Sequence, residues 1–127
     1  MKVIISNNSN APIYEQIKEQ IKMAILNGDI VEGEMLPSIR TLAKDLKVSV
    51  ITTTKAYSEL ENEGFIKSIQ GKGCFVLPNN NEMMKETLLR KIEENLLEAA
   101  RIAKLAEISK YEFEQMVAFA MEEELNE

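Results

Sequence analysis

The chain has 127 residues, 45% hydrophobic and 28% charged, which suits one small soluble domain with an appendage. With no histidine and a single cysteine, it lacks the commonest general base, the usual zinc ligand sets and any internal disulfide. The net charge of -6 is unevenly spread: residues 1–77 carry 9 Lys/Arg and 9 Asp/Glu, whereas residues 78–127 carry 6 and 12.

Residues 1–10 read as a short polar arm with one β-like patch, Val3-Ile4-Ile5. The arm has no signal-peptide h-region, and no later apolar run approaches the roughly 18 residues of a membrane span, so a cytoplasmic protein is expected. The stretch APIYEQIKEQIKMAILNG then predicts a helix. Pro12 suits its first position, and Ile13, Ile17, Ile21 and Ile25 recur every four residues along one face. Glu15–Lys18 and Glu19–Lys22 are spaced to pair on the other face, and Gly28 closes the helix. Gly33 to Leu36 read as a turn leading into an extended piece, which Pro37 enforces. Ser38 is an N-cap for a two-turn helix whose buried side is Ile39, Leu42, Ala43 and Leu46. Lys47-Val48 make a turn, and Ser49 caps the next helix.

In that next helix, propensity and pattern disagree. Five β-branched residues from Val50 to Thr54 favour a strand and cost a helix roughly 2–3 kcal/mol relative to alanine. The Ser49 cap, the helical run KAYSELENE, the stop at Gly64 and the apolar spacing of Thr53, Ala56, Tyr57 and Leu60 outvote them, predicting a helix over about 50–63. A penalty accepted at an exposed helix start suggests that those side chains serve a binding surface. Threonine can donate to a phosphate or offer its methyl to a thymine. The plainer alternative is a poor helix start packed on its neighbour. Phe65 to Ile69, a four-residue tip Gln70-Gly71-Lys72-Gly73, and Cys74 to Leu77 then form a hairpin. Cys74 reads as a small half-buried packing residue.

Pro78 to Asn81 form a polar linker, and a long helix follows from about Glu82. Leu89, Ile92, Leu96, Ala99, Ala103 and Ala106 are spaced as a heptad stripe. Ser109 with Glu112 makes a capping box and Ile108 with Phe113 a hydrophobic staple, so a second helix starts at 109 or 110, with Phe113 and Val117 on its apolar side. These two helices would form an αα-hairpin whose apolar face suits a second copy of the chain. The expected fold is mainly α with a small β-wing: a winged helix-turn-helix over 10–77 and a linker with a two-helix dimerisation hairpin over 78–127. No phosphate-binding glycine loop or GxSxG motif occurs, and no enzyme, cofactor or metal site is expected.

The run of PIYEQIKEQI, LPSIRTLAKDL, KAYSELENEGFI and GKGCFV, in this order, resembles the winged-helix domain of GntR-family bacterial transcription regulators. The short C-terminal part is similar to the YtrA-type subfamily. The resemblance implies a homodimeric repressor on a palindromic operator, with a recognition helix in the major groove and the wing tip on the minor groove or backbone. By position it assigns Arg40 of PSIR, the helix start Ser49 to Thr54 with Lys55, and Gln70, Gly71 and Lys72 of the wing to DNA. With Ser38 and Lys44, the candidate contacts are Ser38, Arg40, Lys44, Ser49, Val50, Ile51, Thr52, Thr54, Lys55, Gln70, Gly71 and Lys72. Val50 and Ile51 stand where many members carry arginine or another polar residue, and Gln70 replaces a frequent basic residue or histidine. Fewer arginine–guanine contacts are then available, and the balance shifts toward methyl contacts and DNA shape. The alternative is a winged helix used as a protein-interaction module. A small-molecule effector would have to sit between the winged helix and the hairpin or at the dimer interface.

Overall fold

The computed structural model describes residues 1–125. Among them the order is α1 (Ile13–Leu26), α2 (Ile39–Leu46), α3 (Val50–Asn62), β1 (Ile66–Ile69), β2 (Gly73–Val76), α4 (Glu82–Leu105) and α5 (Lys110–Leu125). Two compact units result, Met1–Thr87 and a second beginning at Leu88. The expected dimerisation region runs to 127, so its last two residues lie outside the described ones.

The four-residue spacing of isoleucines in α1 puts Ile17, Ile21 and Ile25 on one face, and all three are buried. Helix α3 packs against α1 with Thr53, Ala56, Tyr57 and Leu60 buried. Burying one such isoleucine contributes roughly 1.5–3 kcal/mol relative to exposure. Leu42 and Ala43 of α2 join this core, while Ile39 and Leu46 are only half-buried. Leu36, Phe65, Ile66 and Val76 complete it from the loops and the wing. Pro12 is the N-cap of α1 rather than its first residue, a shift of one position.

The charges differ from the local expectation. Lys18 does not pair with Glu15. It reaches across to α3, where its Nζ lies 3.0 Å from Glu59 Oε1 and also pairs with Glu63. Lys22 Nζ lies 3.7 Å from Glu63 Oε1 and only 4.0 Å from Glu19. Burial disfavours the Lys18 ammonium, but hydrogen bonds to Glu63 and Glu59 outweigh it and hold its pKa above the ordinary lysine value. A lysine one turn from an acid prefers a distant pair of acids here because that pair is half-desolvated, where charge interactions are stronger.

The hairpin is antiparallel, with Ile66 opposite Val76 and Ile69 opposite Gly73. Gly73 therefore belongs to β2, and the tip has three residues, Gln70 to Lys72, not four. The 33–36 stretch does more than lead into Pro37. Gly33 N–H donates to Val76 O, Val76 N–H to Glu34 O, and Leu36 N–H to Cys74 O, at 2.8, 2.9 and 2.9 Å. This segment covers most of the outer edge of β2, engaging both Val76 groups and the Cys74 carbonyl. The arm is also placed: Val3 is buried, Gln20 bonds both Ile4 N–H and Ile4 O, and Gln16 does the same for Ser6.

The change of unit comes later than the expected boundary at Pro78. Asn81 Oδ1 accepts the Met84 N–H at 2.9 Å and so caps α4, while its Nδ2 donates to Gly64 O at 2.8 Å. Met84 is fully buried, and Thr87 donates to Glu63 O at 3.1 Å. The first turn and a half of α4 thus belongs to the winged helix. Gly64 has φ +89, and a Cβ there would meet Met84 N at 2.5 Å.

Helices α4 and α5 start where expected, at Glu82 and Lys110. Glu107 in the left-handed region (φ 57) turns the chain, and Ser109 Oγ accepts Glu112 N–H at 3.1 Å. The Glu112 carboxylate meets the Ser109 hydroxyl at 3.3 Å, which is a variant of the expected capping box. From Leu89 to Leu125 no residue is buried, and half-burial is confined to Ala103, Ile108, Phe113 and Val117. The expected hairpin is therefore joined at its corner but leaves its apolar stripe uncovered.

Replacing Lys18 with alanine should lower stability by ~1–2 kcal/mol, whereas Glu15→Ala should change it by less than ~0.5 kcal/mol. A double-mutant cycle by urea denaturation should place the coupling on Lys18–Glu63 and not on Glu15–Lys18. For Gly64→Ala, positive φ plus backbone overlap should cost ~2–4 kcal/mol, read as a lowered Tm.

Candidate nucleic-acid interface

Helices α2 and α3 are joined by a turn in which Lys47 adopts the left-handed conformation (φ 58, ψ 43). Its N–H and that of Val48 close back on α2, the latter to Ala43 O at 3.0 Å. Glycine usually fills this place, and a lysine there costs about 1–2 kcal/mol. The turn is braced by Tyr57, whose hydroxyl donates to Pro37 O at 2.7 Å, tying the middle of α3 to the residue before the Ser38 cap of α2. Burial, with Cys74 nearby, pushes the Tyr57 phenol above its ordinary pKa, so it stays a neutral donor.

Both helices begin with the same device. Ser38 Oγ accepts Thr41 N–H at 3.1 Å and donates to Thr41 Oγ1 at 2.8 Å. Ser49 Oγ accepts Thr52 N–H at 2.9 Å and donates to Thr52 Oγ1 at 2.7 Å. In each pair the serine has used its proton, so the threonine hydroxyl keeps its own proton to give away. Thr41 was not among the sequence-derived candidates. The signal was present, because Ser-x-x-Thr occurs at 38/41 and again at 49/52.

The start of α3 sorts its side chains by direction. Thr53 is fully buried, and its hydroxyl donates to Ser49 O at 3.1 Å. Val50 is 48% exposed and Ile51 82% exposed. Thr52 is half-buried and Thr54 exposed. Lys55 is exposed, and its Nζ lies 4.0 Å over the Tyr14 ring of α1, a cation–π contact that holds the ammonium in place. On α2, Ser38, Arg40 and Lys44 are exposed. On the wing, Gln70, Gly71 and Lys72 are exposed, Gly71 has φ +78 with open space around its Cα, and Lys72 N–H donates to Ile69 O at 2.9 Å. Arg40, Lys44 and Lys72 form no ion pair with any described residue, in contrast to Lys18 and Lys22. The acids at the end of α3 are already engaged: Glu59 and Glu63 by those lysines, and Glu61 by the Ser68 N–H at 3.0 Å. The negative charge of Glu59 and Glu63 is thereby offset within the fold.

Of the second set of sequence-derived residues, Leu89, Ile92, Leu96, Ala99 and Ala106 are exposed, and Ala103, Phe113 and Val117 are half-buried. No helix among the described residues is long and apolar enough to cross a membrane.

Residues 13–76 match the family described as bacterial regulatory proteins, gntR family. The chain is 39% identical to the HTH-type transcriptional repressor YtrA of Bacillus subtilis (strain 168) over 92 residues, covering 72% of this chain and 71% of that one. Among solved structures it is similar to YtrA from Sulfolobus acidocaldarius, a GntR-family transcription factor, with a TM-score of 0.62, 32% identity and coverage of 98% and 100% of the two chains. It is also similar to the AraR DNA-binding domain solved in complex with operator ORX1, with a TM-score of 0.53, 32% identity and coverage of 60% and 95%.

Ser49→Ala removes the cap of α3 and frees the Thr52 N–H, so thermal denaturation should show a loss of ~1 kcal/mol. Ser49→Asp, which caps without the hydroxyl proton, should recover most of that stability.

Proposed function

Since the chain belongs to the gntR family of bacterial regulatory proteins, we propose that two copies of it bind a palindromic operator and repress transcription. This family consists of transcription regulators, not enzymes. The observation that carries the reading is the exposed start of α3, together with Arg40 and Lys44 of α2 and Lys72 of the wing, which pair with no described acid. That AraR domain, similar in fold, was solved on an operator. Residues 10–77 are the DNA-binding part. Arg40, Lys44 and Lys72 meet phosphates or base edges, Lys55 supplies charge from its place over Tyr14, and Gln70 and Gly71 let the wing approach the backbone. Ser38 and Ser49 act through Thr41 and Thr52, whose free protons suit phosphate oxygens, and Thr54 is within the same exposed face.

Residues 78–127 are the linker and dimerisation region. A helix pair that buries nothing of its own is not stable alone in water. Leu89, Ile92, Leu96, Ala99, Ala103 and Ala106, with Phe113 and Val117, offer a stripe that a second copy covers by two-fold symmetry. The regulator acts where the chromosome is, in the bacterial cytoplasm.

Footprinting on DNA selected from a random pool tests this reading, and protection should extend over two symmetric half-sites. If a dimer neutralises about 6–8 phosphates, log affinity should fall with log salt at a slope of roughly -5 to -7. A flat salt response would refute the electrostatic part. Arg40→Ala and Thr52→Ala should each weaken operator binding by about ten-fold or more while the solution mass stays that of a dimer.

A further inference from the structure

The exposed start of α3 is apolar at the two positions that protrude most, and this points to the kind of base it reads. Ile51 is 82% exposed and Val50 48% exposed, side by side at the start of α3, whereas Ile17, Ile21 and Ile25 of α1 are buried. Exposed β-branched residues at a helix start are unfavourable for the helix and gain nothing from the core. The polar residues around them have other tasks. Thr53 is buried and bonded to Ser49 O. The Thr52 hydroxyl is held by Ser49, with one proton to give. Lys55 sits on the Tyr14 ring. The first two turns of α3 carry no arginine, the residue that grips guanine O6 and N7 as a planar fork, and their one lysine, Lys55, is held over the Tyr14 ring. They present methyl groups, and the methyl that double-stranded DNA exposes in the major groove is the C5-methyl of thymine.

We propose that Ile51, with Val50 beside it, is a specificity-determining residue that selects thymine in each half-site by packing against its C5-methyl. This rests on the operator reading above. The selection is by burial of apolar surface, so it is insensitive to salt, unlike the phosphate contacts of Arg40, Lys44 and Lys72. The two contributions are therefore separable in one titration series.

The test uses the full-length dimer and an operator recovered from random DNA. Each half-site should carry an invariant thymine at one position. Replacing that thymine with deoxyuridine deletes only the methyl and keeps the pairing. Affinity should fall by roughly three- to five-fold per half-site, the scale of one buried methyl, and by the same factor at low and high salt. With Ile51→Ala the wild-type preference for thymine over deoxyuridine should vanish, while the salt slope stays unchanged. Equal binding of thymine and deoxyuridine operators by the wild type overturns the proposal, as does an undiminished preference in Ile51→Ala. Either result leaves a footprint and a steep salt slope standing, and so spares the operator reading. Recovery of no enriched two-fold site defeats both.

Discussion

The fold depends on holding α3 as a helix although its first turn prefers a strand. Five consecutive β-branched residues oppose it by roughly 2–3 kcal/mol. One serine cap contributes ~1 kcal/mol. The rest comes from burial, because Thr53, Ala56, Tyr57 and Leu60 are buried where α3 packs against α1 and α2. Buried Tyr57 and Leu60 alone outweigh the propensity cost at roughly 1.5–3 kcal/mol each. The helix exists because its neighbour exists, and its local preference is overridden at the place where it meets solvent.

This arrangement also fixes the direction of the exposed end. Tyr57 ties α3 to Pro37, and Lys18 with Lys22 tie Glu59 and Glu63 to α1. The helix is thus anchored at its middle and its far end, and its first turn stands free. A surface built this way can vary at Val50, Ile51 and Thr54 without disturbing the core, since none of these three is buried. The buried and the exposed residues of this one helix are separated by the helical repeat, so the proposed recognition residues are not those that hold the core.

Local patterns were legible in the sequence. Ser38, Ser49 and Ser109 announced helix starts, and the four-residue isoleucine repeat announced the α1 face. Glycines at 71 and 73 marked the wing. Interactions between residues far apart in sequence were not legible. Lys18 has an acid at the standard helical spacing, and nothing local says that Glu59 and Glu63 will claim it instead. Asn81 looked like linker because Asn-rich stretches usually are, yet its amide joins α4 to Gly64 O. The edge pairing of 33–36 with β2 likewise needs the fold to bring Met35 to Phe75. In the candidate interface, the residue types could be named in advance. Which of the three threonines faces inward followed from their spacing, but the Lys55–Tyr14 contact and the direction of the Thr41 and Thr52 protons required the coordinates.

The small net charge of the winged helix bears on why, in the proposed regulator, the second part of the chain should pair. Residues 1–77 as a whole carry no net positive charge, and Lys18 and Lys22 are paired with acids of α3. Electrostatic attraction for one copy is accordingly small, and methyl contacts add only a modest increment each. Linking two copies makes the second binding event intramolecular, which raises avidity by orders of magnitude without any new contact to DNA. Under the proposed function, the uncovered stripe from Leu89 to Ala106 and the apolar start of α3 belong together: a weakly charged reading head suffices when it is presented twice.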